Sequence, residues 1–487
     1  MIFLAVLIIP VVLSLIILMV KRARALAIIH SLGYAAILLV SLVLLYRTTV
    51  LAEPVVISDL FLLDGLSLFF VLVISLVGFA SSMYSIGYIS QDVQDGRFSS
   101  SKARMYYLLF NFFLLSMYLV VSLNNLGFVW VCIEMTTLVS ALLVGFYRTK
   151  QSVEAAWKYI IICSVGIILA LLGIILFSYA MSLAGGPKSL NWTDLFAMAG
   201  KLDKNILKIA FIFILVGYGT KAGLAPMHTW LPDAHSQAVA PISALLSGVL
   251  LKTAVYAIIR FGLVVNKGLG SSEYFSHLMV GFGLVSLAVA AGLILVQKDL
   301  KRLLAYSSIE HIGVISVGLG IGGPIASLGV LLHVLNHALT KSLMFFGAGN
   351  IVKRYDRHNM RMIHGVIQSM PFTGILFLLG TFAITGFPPF SIFMSELLII
   401  IAGFLKGSYV VIGFLLFFLV VVFSAIINHF SPMLFGRAPK DLPKYSEPLS
   451  EKLAFLFLLA LVVGLSIALP WLVRDGIIAA GEILKGI

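Results

Sequence analysis

Residues 217–238, GYGTKAGLAPMHTWLPDAHSQA, decide how this chain is read. They close an apolar run, and Lys221 stands where an apolar helix should continue, with Gly223 and Pro226 just beyond it. A helix interrupted there leaves backbone N–H and C=O groups unpaired, and at membrane depth these are tolerated only inside protein or against a water-filled cavity. The stretch therefore describes a membrane helix broken in its middle, with a charge at the break.

The rest of the chain agrees. Of 487 residues, 61% are hydrophobic and 11% charged, too little polar surface to cover a soluble globule of that size. Apolar stretches long enough to cross a hydrocarbon core of about 30 Å recur throughout. They lack the short alternating pattern of a membrane barrel, so the fold class expected is an all-α integral membrane protein. About fourteen spans are expected, near residues 2–20, 25–46, 65–89, 105–123, 125–147, 156–182, 206–227, 240–264, 276–297, 303–321, 323–350, 371–400, 406–433 and 453–473. The first run has no preceding basic region and no small-residue cleavage site, and reads as a retained span.

The net charge of +13 does not point to nucleic acid. Its basic residues sit in short clusters at span ends, KRAR at 21, KDLKR at 298 and KRYDR at 353, which read as topology signals. About twenty Lys and Arg fall on odd-numbered loops against about ten on the other side, so the odd loops are expected in the cytoplasm and both termini outside. Cys132 and Cys163 lie in apolar runs without paired-ligand spacing, which argues against iron–sulfur ligation within this chain.

Charged and titratable residues inside the spans carry the chemistry. Glu134 lies in GFVWVCIEMTTLVSALLVGF, and a charge at the bilayer centre costs about 2.5 to 3.5 kcal/mol on insertion scales. It requires a cation or a hydrated pocket, and Lys221 is the expected partner. Burial favours a neutral lysine and a nearby carboxylate a charged one, so a moving Glu134 would switch Lys221. Lys252, in LLSGVLLKTAVYAII, is too deep for simple snorkelling. In LLHVLNHALTKSLMFF, residues His333, Asn336, His337, Thr340 and Lys341 fall at i, i+3, i+4, i+7 and i+8, one helical face. Such a stripe suits a hydrated proton path; for Asn336 and Thr340, bonding to neighbouring helices is an equal reading. His333 and His337 also have a metal-like i, i+4 spacing, but no HExxH is present and Lys341 opposes a cation, so no metal is expected. AYSSIEHIGVISVGLG adds His311, expected in the interior, and Glu310, expected toward the cytoplasmic end. Glu396 follows a second interruption in TGFPPFSIFMSELLII. GLAP at 223 and GFPP at 386 both place Gly-x-x-Pro inside a hydrophobic segment, five spans apart, as an inverted repeat requires; so short a motif is also what chance produces.

At these residues the chain resembles the antiporter-like subunits shared by respiratory complex I, membrane-bound NiFe hydrogenases of the formate hydrogenlyase type, and multisubunit cation/proton antiporters. The resemblance runs from about residue 60 to 435 and is strongest in WVCIEMTTLVSALLVGF, KAGLAPMHTWLPDAHSQAVAPISALLSGVLLK and LNHALTKSLMFFGAGNI. It implies fourteen helices with two inverted five-helix repeats, with boundaries at 1–104, 105–264, 265–433 and 434–487, and broken helices 7 and 12. It also implies roles: Glu134 paired with Lys221, Lys252 as central relay, His311, His337 and Lys341 as the link between half-channels, and Glu396 at the exit. His228 and His235 match positions near the first half-channel. SSIEHIG and FYRTKQSVEAAWKYIIICSVGI look most like the hydrogenase-linked branch, whereas Glu396 and the short tail LVRDGIIAAGEILKGI differ from the distal complex I subunit.

The expected function is proton translocation as a subunit of a redox-driven complex in the cytoplasmic membrane, with no cofactor of its own. Its expected partners are other membrane subunits and a peripheral arm with iron–sulfur and NiFe subunits. The alternative is a sodium/proton antiporter assembly without redox partners. An integral membrane enzyme would need a metal triad, a nucleophile and base, or a cofactor motif, and none is legible. A pure scaffold leaves the buried charges without a reason for their cost.

Overall fold

The computed structural model describes residues 2–20, 22–50, 55–439, 442 and 445–487. Two helices open the chain, α1 (Leu4–Met19) and α2 (Ala23–Val50). A small antiparallel hairpin follows, β1 (Val55–Ser58) and β2 (Phe61–Leu63). Next come α3 (Gly65–Gln94), α4 (Ser100–Ser122), α5 (Leu126–Val144) and α6 (Lys150–Leu183). Polar residues start these helices. Side chains of Asp64, Ser99, Asn125 and Thr149 each accept a backbone N–H of the first turn, meeting donors that a helix start leaves unpaired.

A short helix α7 (Trp192–Met198) precedes the first broken crossing, formed by α8 (Lys204–Ala222) and α9 (Trp230–Gln237). The break expected within the span 206–227 is present: the helix stops at Ala222 and resumes at Trp230 as a buried segment. Gly223, at φ +82°, ends α8 in the left-handed conformation that glycine adopts without a steric penalty. The freed Thr220 carbonyl accepts Trp230 Nε1–H at 2.8 Å, and Ala225 N–H donates to Ser286 Oγ at 2.9 Å. The break is therefore satisfied inside the protein, as lipid requires.

The following crossing is not one regular helix. It consists of α10 (Ala240–Leu245), a π-turn at Leu246–Leu250 and α11 (Leu251–Leu269). Beyond it lie α12 (Glu273–Val296), α13 (Leu300–Ile321), α14 (Pro324–Tyr355) and α15 (Val366–Ser369). The second break separates α16 (Pro371–Ile384) from α17 (Ser391–Leu405), with Gly386 at φ +66°. The last helices are α18 (Tyr409–Phe435), α19 (Leu449–Ile467) and α20 (Trp471–Leu484). α20 was not expected as a helix; it lies against α3, where Gly65 leaves room for the Ala479 backbone.

Twelve helical segments among the described residues are long and apolar enough to cross a membrane, and α1, α16 and α17 are shorter apolar helices. Their burial is unequal, and this positions the site. The apolar stretches of the crossing Ala240–Leu269 and of α13 are enclosed by other helices, whereas α18 turns most of its surface outward. Side chains of the enclosed helices meet protein on every side, so charges there need not meet lipid.

Small residues let the helices approach. At Gly217 on α8, an added Cβ would lie 2.6 Å from the Gly166 carbonyl and the Ala170 N–H of α6, both backbone. Gly217→Leu is therefore expected to force α6 and α8 apart and destabilise the protein by about 1–3 kcal/mol or more. Thermal unfolding in detergent, followed by size-exclusion chromatography, measures this; an unchanged midpoint would contradict the close approach.

Candidate ion-translocation site

Two groups of buried polar side chains occupy the interior. The first surrounds Lys221, in the last turn of α8. Its ammonium donates to Tyr159 OH at 2.6 Å and Thr137 Oγ1 at 2.7 Å, and lies over the Tyr159 ring. Tyr159 OH is in turn 2.7 Å from Ser140 Oγ. The expected Glu134–Lys221 ion pair is not formed among the described residues. Glu134 Oε1 instead accepts Ser164 Oγ–H at 2.8 Å, while its Oε2 is buried without a partner. Thr137 lies one turn from Glu134 on α5, so hydroxyls of α5 and α6 stand where the pair was expected. Nothing in the sequence beyond the repeated threonine of EMTT signalled this.

The second group spans four helices. Lys252 Nζ bonds to the Ser247 carbonyl of the π-turn and to His337 Nδ1, the latter at 2.5 Å. The rings of His337 and His311 lie with centroids 4.5 Å apart. His311 Nδ1 is 3.0 Å from His333 Nε2, and His333 Nδ1 is 2.9 Å from Ser395 Oγ on α17. Glu396 follows Ser395, and one oxygen of it lies within 4.8 Å of donor nitrogens of both His311 and His333. Lys341 Nζ bonds the Leu304 carbonyl and Ser307 Oγ of α13, each at 2.6 Å. Ser308 next to it pairs with Ser247 Oγ at 2.7 Å.

The stripe on α14 is buried over its full length, as the spacing predicts, but its members face different partners. His333 and His337 face α13, α17 and α11. Asn336 Nδ2 donates to the Ser391 carbonyl at the second break, so its role there is helix bonding. Thr340 Oγ1 finds no partner among the described residues.

Glu310 requires a correction. It was expected toward the cytoplasmic end with a neighbour different from that of His311, yet it is 2% exposed and its Oε2 lies 3.3 Å from His311 Nε2. Cβ atoms of adjacent helical residues diverge by about 100°, but a glutamate is long enough to fold back toward its neighbour's ring, here without forming a hydrogen bond.

His228 and His235 are both buried, His235 with both ring nitrogens unpartnered and His228 with its Nδ1 unpartnered. The structure adds Lys301, which the sequence presented only as part of the KDLKR cluster. It is 4% exposed and donates to the Ala238 carbonyl, at the end of α9, at 2.6 Å. No hydrogen bond among the described residues joins the Lys221 group to Lys252.

Residues 122–424 match the family described as "NADH:quinone oxidoreductase/Mrp antiporter, TM", and residues 53–99 match the N-terminal family of complex I chain 5. Over 352 residues the chain is 42% identical to the hydrogenase-4 component F homolog of Methylacidiphilum infernorum (isolate V4), covering 72% of this chain and 74% of that protein. Its fold is that of a chain in the membrane-bound sulfane sulfur reductase, an archaeal respiratory membrane complex (TM-score 0.87, 22% identity, 99% of both chains). A chain of the Mrp complex from Dietzia sp. DQ12-45-1b is similar to the same degree (TM-score 0.87, 18% identity, 99% of this chain and 97% of that one). The chain is thus a multi-pass, all-α membrane protein that belongs to the NADH:quinone oxidoreductase/Mrp antiporter transmembrane family.

Proposed function

We propose that this chain translocates protons as a membrane subunit of a redox-driven complex of the hydrogenase-linked type, without a redox centre of its own. The observation that carries this reading is the contact series Lys252–His337–His311–His333–Ser395, with Glu396 at its end. Neighbouring donors and acceptors a few ångströms apart inside a protein-lined core are what proton transfer needs. The series is rich in imidazole nitrogen. Sodium is taken by carbonyl and carboxylate oxygen, so this donor set favours the proton.

In this reading Glu134 and Lys221 form the input element, with Tyr159 and Thr137 holding the ammonium while Glu134 is turned toward Ser164. Lys252 receives the proton, the histidines and Lys341 carry it across, and Glu396 releases it. Residues 105–264 and 265–433 would be the two inverted halves, each with one glycine-marked break. Counting α1 as one crossing, and α16 with α17 as another, gives the fourteen crossings expected, with both termini outside. The partners would be further membrane subunits and a peripheral arm carrying iron–sulfur and NiFe centres.

Tyr159→Phe removes a hydrogen bond to a buried ammonium, an interaction of about 1.5–3 kcal/mol. Proton uptake is expected to slow by about tenfold, since ~1.4 kcal/mol in a barrier is tenfold in rate. Dye-monitored uptake into membrane vesicles measures it; wild-type uptake would remove Tyr159 from the input element.

The second reading, a sodium/proton antiporter subunit, draws on the likeness to the Mrp complex. Mass spectrometry of everything co-purifying in mild detergent separates the two. Iron–sulfur and hydrogenase-type subunits are expected; small hydrophobic antiporter subunits alone would favour the second reading.

A further inference from the structure

We infer that His311, His333 and Glu396 form a binding site for a divalent transition metal ion, zinc first among them, and that a bound ion halts proton movement through the histidine series. The three residues come from α13, α14 and α17, and their donor atoms all lie within 4.8 Å of one another. His311 Nδ1 and His333 Nε2 are 3.0 Å apart. Two nitrogens bound to one tetrahedral zinc at about 2.0–2.1 Å stand roughly 3.3 Å apart, so a small rotation of either ring meets the geometry.

The groups behind these ligands are those of a metal site. A ligating histidine ordinarily has its other ring nitrogen held by a carboxylate, carbonyl or similar partner, which fixes the ring and raises its basicity. Here Ser395 Oγ lies 2.9 Å from His333 Nδ1, within hydrogen-bond geometry, and Glu310 Oε2 lies 3.3 Å from His311 Nε2, a close approach without a hydrogen bond. His311 Nδ1 and His333 Nε2 face each other, and a Glu396 carboxyl oxygen within reach of both residues would supply the third ligand. Two imidazoles and a carboxylate suit zinc, copper or nickel, and discriminate against hard cations.

The i, i+4 pair that the sequence suggests, His333 and His337, is not the metal pair. Their rings lie 6.3 Å apart, and His337 Nδ1 is engaged by Lys252. Lys252 and Lys341 stand in the same core, as do the carboxyl groups of Glu310 and Glu396. The second break brings the site close to the protein surface: Gly386 packs directly on the Glu396 carboxyl, and Phe387, Pro388 and Pro389 beside it are exposed.

An ion so placed would occupy the lone pairs of His311 and His333 that otherwise exchange a proton. The blocking part of the inference rests on the proton-relay reading above; the binding part does not.

Binding is tested by titrating the purified full chain in lipid nanodiscs with Co²⁺ alone, following its visible absorption, and with Zn²⁺ followed by X-ray absorption. One ion with two imidazole ligands is expected. His333→Asn should abolish this binding, Ser395→Ala should weaken it about 10–100-fold, and the exposed His277→Asn should leave it unchanged. Equal binding in wild type and His333→Asn would overturn the site. Transport is tested separately in vesicles of the whole complex: proton uptake in chelated buffer should fall on adding Zn²⁺ and return with chelator. Uptake that is insensitive to Zn²⁺ while the site is occupied would overturn the block. Absence of uptake in chelated wild-type vesicles would instead count against the relay reading.

Discussion

Replacing Lys252 by methionine is expected to stop proton uptake, with a rate at least about 100-fold below wild type, while the protein remains folded and assembled. Loss of one positioned proton-transfer group costs about that much or more. Among the described residues, Lys252 alone joins the Ser247 carbonyl of the π-turn to His337. Without it the histidines have no donor on the α11 side among the described residues. Methionine is close to lysine in length and carries no charge, so the buried site stays filled and the cost of burying an ammonium disappears. Uptake into vesicles, normalised to the amount of complex by quantitative mass spectrometry, reads the outcome. Near-normal uptake in Lys252→Met would show that protons bypass the histidine series.

Lys221→Ala has the second large expected effect, loss of ion translocation with assembly retained. Lys221 is the cation at the first break, and its ammonium is held by Tyr159 and Thr137. The substitution leaves these hydroxyls a cavity that water can fill, since polar partners line it. The fold is thus expected to survive what transport does not. The Glu134 variants grade the same element. Glu134→Gln keeps the bond from Ser164 but removes the charge, and should be severe; Glu134→Asp keeps the charge and should be milder. If both acidify vesicles like wild type, Glu134 serves only to bond α5 to α6.

The sequence makes some of this legible and leaves the rest hidden, for physical reasons. Lipid imposes one requirement, that backbone polar groups pair internally, so apolar length alone exposes the helices, and Gly and Pro within them expose both breaks. The cost of burying charge marks Glu134, Lys221, Lys252, Lys341 and Glu396 without any structure. Helical period places His333, His337 and Lys341 on one face, and they are indeed buried together.

What period cannot show is which helix faces that stripe. The meeting of His311 with His333, and of Glu396 with both, depends on packing between α13, α14 and α17, and no local spacing encodes it. Glu310 was misplaced because a long side chain can bend back along its helix, while the geometry of Cβ atoms alone predicts divergence. Lys301 was hidden in the basic cluster KDLKR, which the sequence presents as a topology signal. The π-turn at Leu246–Leu250 leaves no glycine–proline mark of the kind that exposes the other breaks, although it supplies the carbonyl that holds Lys252.

The most direct test of proton translocation is a parallel measurement of H⁺ and Na⁺ fluxes in sealed vesicles containing the whole complex, driven by its electron donor. The account predicts proton uptake that is unchanged when sodium is removed, with no matching sodium flow, and that disappears in Lys221→Ala. A sodium flux equal and opposite to the proton flux, lost in the same variant, would contradict it and establish exchange.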